Sequence, residues 1–452
     1  MRKTITYIFV FAMLLVSCSN ETNKYITLGK GTSSKWFEPT PFGMVYIERG
    51  SYNLGSNDDE LYELTPARTV STEAFWIDDT EITNNEYRQF VHWVRDKKAR
   101  ELLAQTYTDF LITEDQYGAP LEEPEINWEE RIEWNDPEYQ MAMEELYIPE
   151  QERFAYKREI DARKLVYEYY WVDYNQAAKR SNAFNYETQK YEGSVVNSDG
   201  ELVPIENRSS FLMRESVPVY PDTLCWIRDF AYTYNEPFTM KYFAHVGFDD
   251  YPVVGVTWDQ ARAFCNWRTN LRGIVQKRFK ETPAHDYRLP TESEWEIAAR
   301  GGMHNNMYPW GSYYTRNVDG CFVANFKPLR GNYVADSPTS TNTMEVGQFD
   351  PNPYGVYDMA GNVAEWTSTA FFEGGYNTIH DLNPEIQYNA RPDDPPVMKR
   401  KVVRGGSWKD IAYYIQSATR TFEYQDTAKS YIGFRCVRTS FRDDLGGRVG
   451  LK

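Results

Sequence analysis

An α+β fold with little regular secondary structure, interrupted by one long insertion, is what this sequence predicts, and three observations carry the prediction. Short alternating or β-branched stretches are punctuated by glycine, as in FGMVYIERGSYNLGS (42 to 56), VVRGG (402 to 406) and YIGFRCVRTS (431 to 440); short strands and tight turns have this pattern. Helical stretches opened by a threonine stand between them, at Thr83, Thr257 and Thr291. From residue 101 to 245 clear periodicity is lost.

Composition sets the outer limits. The chain has 452 residues, 41% hydrophobic and 16% aromatic, enough to bury a large core. Its formal charge of −17 disfavours nucleic acid, because binding phosphate takes clustered Lys and Arg. The charge is also concentrated: residues 101 to 150 hold fifteen acidic residues against Arg131, a net of −14.

The opening stretch MRKTITYIFVFAMLLVSCSN has basic Arg2 and Lys3, an apolar run from about Ile8 to Val16, and then Ser17-Cys18. That run is too short to span a bilayer, which takes about 20 residues. It reads as a signal peptide over 1–17, and its ending resembles a bacterial lipobox, with Cys18 as the lipid anchor; an ordinary secretory signal is the competing reading. The rest divides into a linker over 18–35, a first core segment over 36–100, the acidic aromatic-rich insertion over 101–245, the main core segment over 246–440 and a tail over 441–452.

Within the core, 42 to 56 reads as a strand pair. FWIDDTEITNNEYRQFVHWVRD (75 to 96) reads as a strand and a helix capped by Thr83 with Glu86, its apolar stripe formed by Tyr87, Phe90, Val91 and Val94. The segment 249 to 271 reads as a strand, a Thr257 cap and a helix. YRLPTESEWEIAARGG (287 to 302) reads as a helix capped by Thr291 with Glu294 and ended by Gly301. In the insertion a helix is expected around Glu152 to Ala178. Trp128, Trp134, Tyr139, Met141, Met143 and Tyr147 stand among its charges. They form either an interaction surface or a loop folded back on its own core.

The series RLPTESEWE, GNVAEW, RGGSW and GFRC resembles the sulfatase-modifying-factor family of formylglycine-generating enzymes, over about residues 40 to 97 and 249 to 440. The resemblance implies a variant of the C-type-lectin fold. Family enzymes carry two cysteines after the RGGS turn that hold copper and activate oxygen; here those places fall on Asp410 and Ile415, so no catalytic residue and no copper are expected. The resemblance also implies a disulfide between Cys265 and Cys436, with two buried thiols as the alternative. Cys225 and Cys321 are left as a second pair by elimination alone. It implies a structural calcium held by the side chains of Asp358 and Glu365 and the carbonyls of Gly361 and Val363; the alternative is that the two carboxylates cap backbone amides in a glycine turn. A second calcium site would begin at Asn325 and Phe326, with Asp336 an imperfect partner, and is not expected.

Two classes of function follow. A lipobox, a core without the catalytic cysteines and a long acidic insertion resemble the gliding-motility lipoproteins of the type IX secretion system. That likeness implies a non-catalytic protein on the periplasmic side of the outer membrane, self-associating into a ring with a GldN/PorN-type partner. The second class is a divergent oxygen-using enzyme, which would need relocated ligands; the five histidines are scattered and form no metal-binding spacing. A lectin-like binder ranks last, since no sugar site is singled out.

Overall fold

The computed structural model describes residues 38–56, 65–114, 119–279, 281–282, 284–329, 333 and 342–441, and the fold is that of the unit from Thr40 onward. Cys18 and Asp336 lie outside the described residues. In chain order the principal elements are β1 (Met44–Ile47), β2 (Gly50–Leu54), β3 (Arg68–Thr72), β4 (Phe75–Asp78), α1 (Asn84–Leu103), β5 (Val166–Val172) and β6 (Leu212–Pro218). There follow α2 (Cys225–Asp229), α3 (Glu236–Lys241), α4 (Trp258–Phe279), β7 (Tyr287–Arg288), α5 (Glu292–Arg300), β8 (Ala364–Ala370), β9 (Arg400–Arg404), β10 (Thr421–Tyr424), β11 (Ile432–Gly433) and β12 (Val437–Thr439).

The helices start where the threonines place them. Thr83 and Glu86 close a reciprocal capping box on α1, as Thr291 and Glu294 do on α5, which ends at Gly301 with φ 59°. On α4 the Thr257 hydroxyl accepts from the Gln260 amide at 3.2 Å while the Gln260 side chain accepts from the Thr257 amide at 2.8 Å. Each box satisfies two of the amides that a helix start leaves without partners. The expected stripe Tyr87, Phe90, Val91 and Val94 is buried, and it meets α4 through stacked Tyr87–Phe264 rings 5.6 Å apart.

Two four-stranded sheets carry the core. The first, ordered β1-β4-β12-β7, is antiparallel throughout. The second, ordered β10-β9-β8-β11, is antiparallel except for its β8–β11 pair. The expected pairing across 42 to 56 is not formed: β1 pairs with β4 and β2 with β3, because each strand buries its apolar positions against a different neighbour. The strand expected before Thr257 is irregular backbone, reduced to a bridge between Thr83 and Pro252.

The insertion is not an appendage. Phe110, Ile132, Met143, Leu146, Tyr147, Tyr167 and Tyr169 join Tyr87, Phe90 and Phe264 in one apolar core. Trp128 stacks on Trp93 at 5.2 Å and Arg95 lies over Trp134 at 4.7 Å, so these indoles fold back onto α1. The helix expected over Glu152 to Ala178 is replaced by single 3₁₀ turns, by β5 and by one helical turn at Tyr174–Ala177. The sequence VYEYYWV alternates buried and exposed side chains at its start, the period of a strand, and β5 pairs with β6 from Val166–Pro218 to Val172–Leu212.

Behind these elements lies a lattice of buried charge. Glu296 on α5 accepts from Arg300 (2.7 Å), from the Gly55 amide (2.7 Å) and from Arg404 of β9, while Glu292 takes a two-pronged bond from Arg420 at 2.8 and 2.9 Å. Burial opposes ionisation of Glu296, but Arg300 and Arg404 outweigh it and hold its carboxyl below the ordinary value. Glu296→Gln would leave two guanidiniums buried against half their counter-charge, and a loss of about 3–5 kcal/mol is expected. Denaturant titration measures it; a loss under about 1 kcal/mol, the worth of an exposed pair, would show that the lattice carries no such weight.

Candidate functional site

The RGGSW segment follows β9. Gly405 and Gly406 have φ of 86° and 62°, a region costly for residues with a Cβ. Space forbids one as well: a Cβ at Gly406 would stand 2.7 Å from the Tyr414 carbonyl oxygen, and one at Gly405 3.0 Å from the Trp295 ring. The turn is therefore fixed by packing, whatever it displays.

What it displays is engaged by its own neighbours. Asp410 accepts from the Ser407 amide (3.0 Å) and hydroxyl (2.6 Å), and pairs with Lys409 at 2.7 Å; it fastens the turn. Ile415 is fully buried among Tyr308, Ala324, Phe326 and Ala360. Burying such a side chain is worth about 1.5–3 kcal/mol, so the position works as core.

The face above the turn is closed by the end of the insertion. Trp408 packs against Trp226 (6.3 Å) and Phe230 (5.2 Å), and Trp226 is itself buried with Cys225 and Tyr242. Asp229 at the end of α2 accepts from the Ser430 amide (2.8 Å) and hydroxyl (2.9 Å), which latches α2 to the loop before β11.

Beneath the turn three carboxylates gather. Glu365 on β8 accepts from Trp295 Nε1 at 2.8 Å and, through both oxygens, from Arg435 at 2.7 Å. Glu81, almost fully buried, accepts from the Asn362 side chain at 2.6 Å and the Val363 amide at 3.0 Å. Asp358, at φ 55°, accepts from the Gly347 amide at 2.6 Å. One guanidinium thus faces three carboxylates, and the excess shows in their titration. Burial pushes Glu81 well above the usual carboxylate range, with Asp358 and Glu365 adding to it; burial likewise lifts Asp358 to about 6.

The cysteines fall into two situations. Cys265 on α4 and Cys436 just before β12 are both buried with sulfurs 3.4 Å apart, and burial followed by the neighbouring Cys265 pushes the Cys436 thiol well up. Cys225 is buried and Cys321 exposed, and neither is bonded to another cysteine among the described residues. The juxtaposition of Cys265 and Cys436 suits a bridge in an oxidising compartment; the elimination that paired the other two receives no support.

Comparison with known proteins identifies the scaffold. The profile of the "Sulfatase-modifying factor enzyme 1-like domain" matches residues 33–440. The chain belongs to the sulfatase-modifying-factor family. Relatives include the "Inactive C-alpha-formylglycine-generating enzyme 2" of Bos taurus, 34% identical over 42% of this chain and 50% of the relative, and the "Formylglycine-generating enzyme" of the same organism, 33% identical over 42% and 44%. The chain spans about half the length of the curated relatives it matches. Among solved structures, PvdO from Pseudomonas aeruginosa aligns over 88% of this chain and 94% of its own with a TM-score of 0.42 at 16% identity.

The calcium set implied by the family does not fit as drawn. Both oxygens of Glu365 are engaged by Arg435, and one of them also by Trp295, so Glu365 serves as an ion-pair partner. Val363 takes part through its amide, to Glu81. Of the expected side-chain donors only Asp358 keeps an oxygen without a hydrogen bond, and among the described residues no group of three or more His, Cys, Asp or Glu side chains is arranged to hold a metal. At the start of the second implied site, the Asn325 side chain donates to the Asn342 carbonyl at 2.9 Å and Phe326 is core. Sequence reasoning missed Glu81, Asn362 and Arg435. The signal for Glu81 was a carboxylate set directly before a buried isoleucine, in DDTEIT.

Asp358 gives the test. Its folded pKa lies above the usual aspartate value, so the stability it contributes is present at low pH and is lost as pH rises through about 6. Asp358→Asn mimics the protonated form and should raise the melting temperature at pH 7 by about 1–2 °C, with no gain at pH 4. A chelator should leave the melting temperature of the unaltered protein unchanged. A fall on chelation, abolished by Asp358→Asn, would restore the calcium site.

Proposed function

We propose that this chain is a non-catalytic assembly component that acts through its surfaces. The observation that supports this most is the filling of the family's reactive position: Ile415 is sealed in an apolar cluster, Asp410 is consumed by its own turn, and Trp226 and Phe230 close over Trp408. A thiolate, a metal and oxygen have no place there. A relative named as inactive is consistent with the scaffold outliving its chemistry.

The finer reading is a GldK/PorK-type lipoprotein of the type IX secretion and gliding-motility machinery. Its support is the lipobox-like ending at Cys18, the family core lacking both cysteines, and the net charge of −14 over residues 101 to 150. On this reading the chain is held by Cys18 to the periplasmic side of the outer membrane, associates with copies of itself in a ring, and meets a GldN/PorN-type partner; a related GldJ-type lipoprotein shares these features. Acidic surface attracts a basic partner before contact and sets its orientation. No described helix is long and apolar enough to cross a membrane, which is compatible with a lipid anchor.

The test uses the full chain in detergent-solubilised membranes. Co-purification followed by mass spectrometry should recover the chain with a periplasmic partner, more weakly as salt rises. Cys18→Ala should release it from membranes, since lipid supplies the attachment. Tight one-to-one binding of Cu(I) by the purified protein would overturn the non-catalytic reading, and a Cys18→Ala protein that stays with the membrane without its partners would overturn the anchor.

A further inference from the structure

A cleft of about 1340 Å³ opens between the β5–β6 strand pair of the insertion and the N-terminal half of α4. Small-molecule pockets run to about 300–1,000 Å³, so its size suits a length of chain rather than a compact ligand. It is on different elements from the RGGSW turn and takes no part in the family's chemistry.

The charges along it are unevenly committed. Arg262 on α4 pairs with Glu215 of β6 at 3.3 Å and lies over the Trp258 ring at 4.8 Å. Lys401 on β9 donates to the Tyr388 carbonyl and stands 3.6 Å above the same ring. Asp259, in the first turn of α4, is different: among the described residues no donor bonds its carboxylate, and it senses Arg262 and Lys401 only through space. In the opposite wall the Trp171 indole N–H is buried with no acceptor. A wall that leaves a carboxylate without donors and an indole without an acceptor is unfinished by its own chain.

The missing chemistry is a cation for Asp259 on a chain rich in carbonyls. Sugars are favoured less, because Arg262 and Lys401 already lie over the Trp258 ring and Arg262 also lies 5.4 Å from the Trp171 ring. We propose that this cleft binds an extended polypeptide segment of a partner protein, with a lysine or arginine of that segment paired to Asp259. The proposal deepens the assembly reading, and rests on it for the source of the segment.

Titration of the site supports this assignment. Burial lifts Asp259 to about 6, with Arg262 of its own helix opposing, Glu215 of β6 adding, Lys401 of β9 opposing and Asp426 beyond β10 adding. Burial, then Arg262, lowers Lys401 to about 7. As pH rises from 5 to 8 Asp259 gains its charge and Lys401 sheds its own, so a basic segment binds better at each step.

The experiment uses the full chain in detergent and two pools of labelled random peptides of about ten residues, roughly 30 Å when extended, one pool with a fixed central lysine and the other with a fixed central glutamate. Fluorescence anisotropy should show binding of the lysine pool alone, strengthening from pH 5 to 8. Asp259→Asn should weaken it about tenfold or more, as loss of a desolvated charge partner does. Gln387→Trp, at an exposed position on the rim, blocks the cleft without altering Asp259; it should abolish binding with an unchanged melting temperature, so the answer does not depend on one variant folding. Equal binding of both pools, binding indifferent to both variants, no binding, or displacement of the peptide by chitohexaose would overturn the proposal. Co-purification of the partner is a separate measurement: if it persists while the peptides fail, the cleft is wrong and the assembly reading stands.

Discussion

The architecture depends on one buried ion pair. Arg435, wholly inside the protein, gives both prongs of its guanidinium to Glu365 and its remaining protons to the carbonyls of Asp78, Asp79 and Tyr357. Three separate parts of the chain are thereby held at hydrogen-bond distance: the end of β4, the loop before β8, and β8 itself. Glu365 passes the constraint on by accepting from Trp295, whose ring lies against Gly405. The GFRC, GNVAEW, RLPTESEWE and RGGSW motifs thus make one connected contact. A buried guanidinium left without its carboxylate is far more costly than the intact pair is favourable, so these motifs stand or fall together.

That connection explains how the turn is held. Gly405 is required by the Trp295 ring, and Gly406 by the Tyr414 carbonyl and the Ile415 side chain. Such a turn has two needs. One is an acceptor for the Ser407 hydroxyl and amide, which Asp410 supplies; the other is apolar volume beneath Gly406, which Ile415 supplies. The end of the insertion then closes the face with Trp226 and latches it through Asp229. Asp410 and Ile415 are thus both engaged in the folded state.

Much of the core was legible in the sequence, and the reason is local. A threonine followed three residues later by Glu or Gln, or a glycine that must take positive φ, declares its structure within a few residues, and Thr83, Thr257, Thr291 and Gly301 behave accordingly. The insertion was not legible, because its order comes from distant contacts. Phe90 packs on Tyr167 at 5.2 Å, and no short-range pattern announces that. The alternation in VYEYYWV was visible, but its aromatic and Glu content also suited a helix. The ion pair of Glu365 was hidden for a related reason: its partner lies 70 residues away at Arg435, and a loop carboxylate read without its counter-ion looks free.

The insertion's relation to the core comes down to another carboxylate. Glu215 of β6 accepts from Tyr169 directly across the strand pair, from Arg262 of α4 and from Asn389 at 3.0 Å. It therefore joins the two strands to each other, to the core helix and to the segment before β9. Its two oxygens are spent on these bonds, whereas Asp259, one turn before Arg262 on α4, lines the same cleft with no donor among the described residues. The division has a physical logic: a carboxylate with several donors is a fixture, and one with none is available. Tyr167, Tyr169 and Val217 of the strand pair are buried in the main core, and this holds rigid the face that Trp171 and Glu215 share with them. A binding surface on such a wall keeps its shape before a partner arrives, and the ordering cost of association falls accordingly.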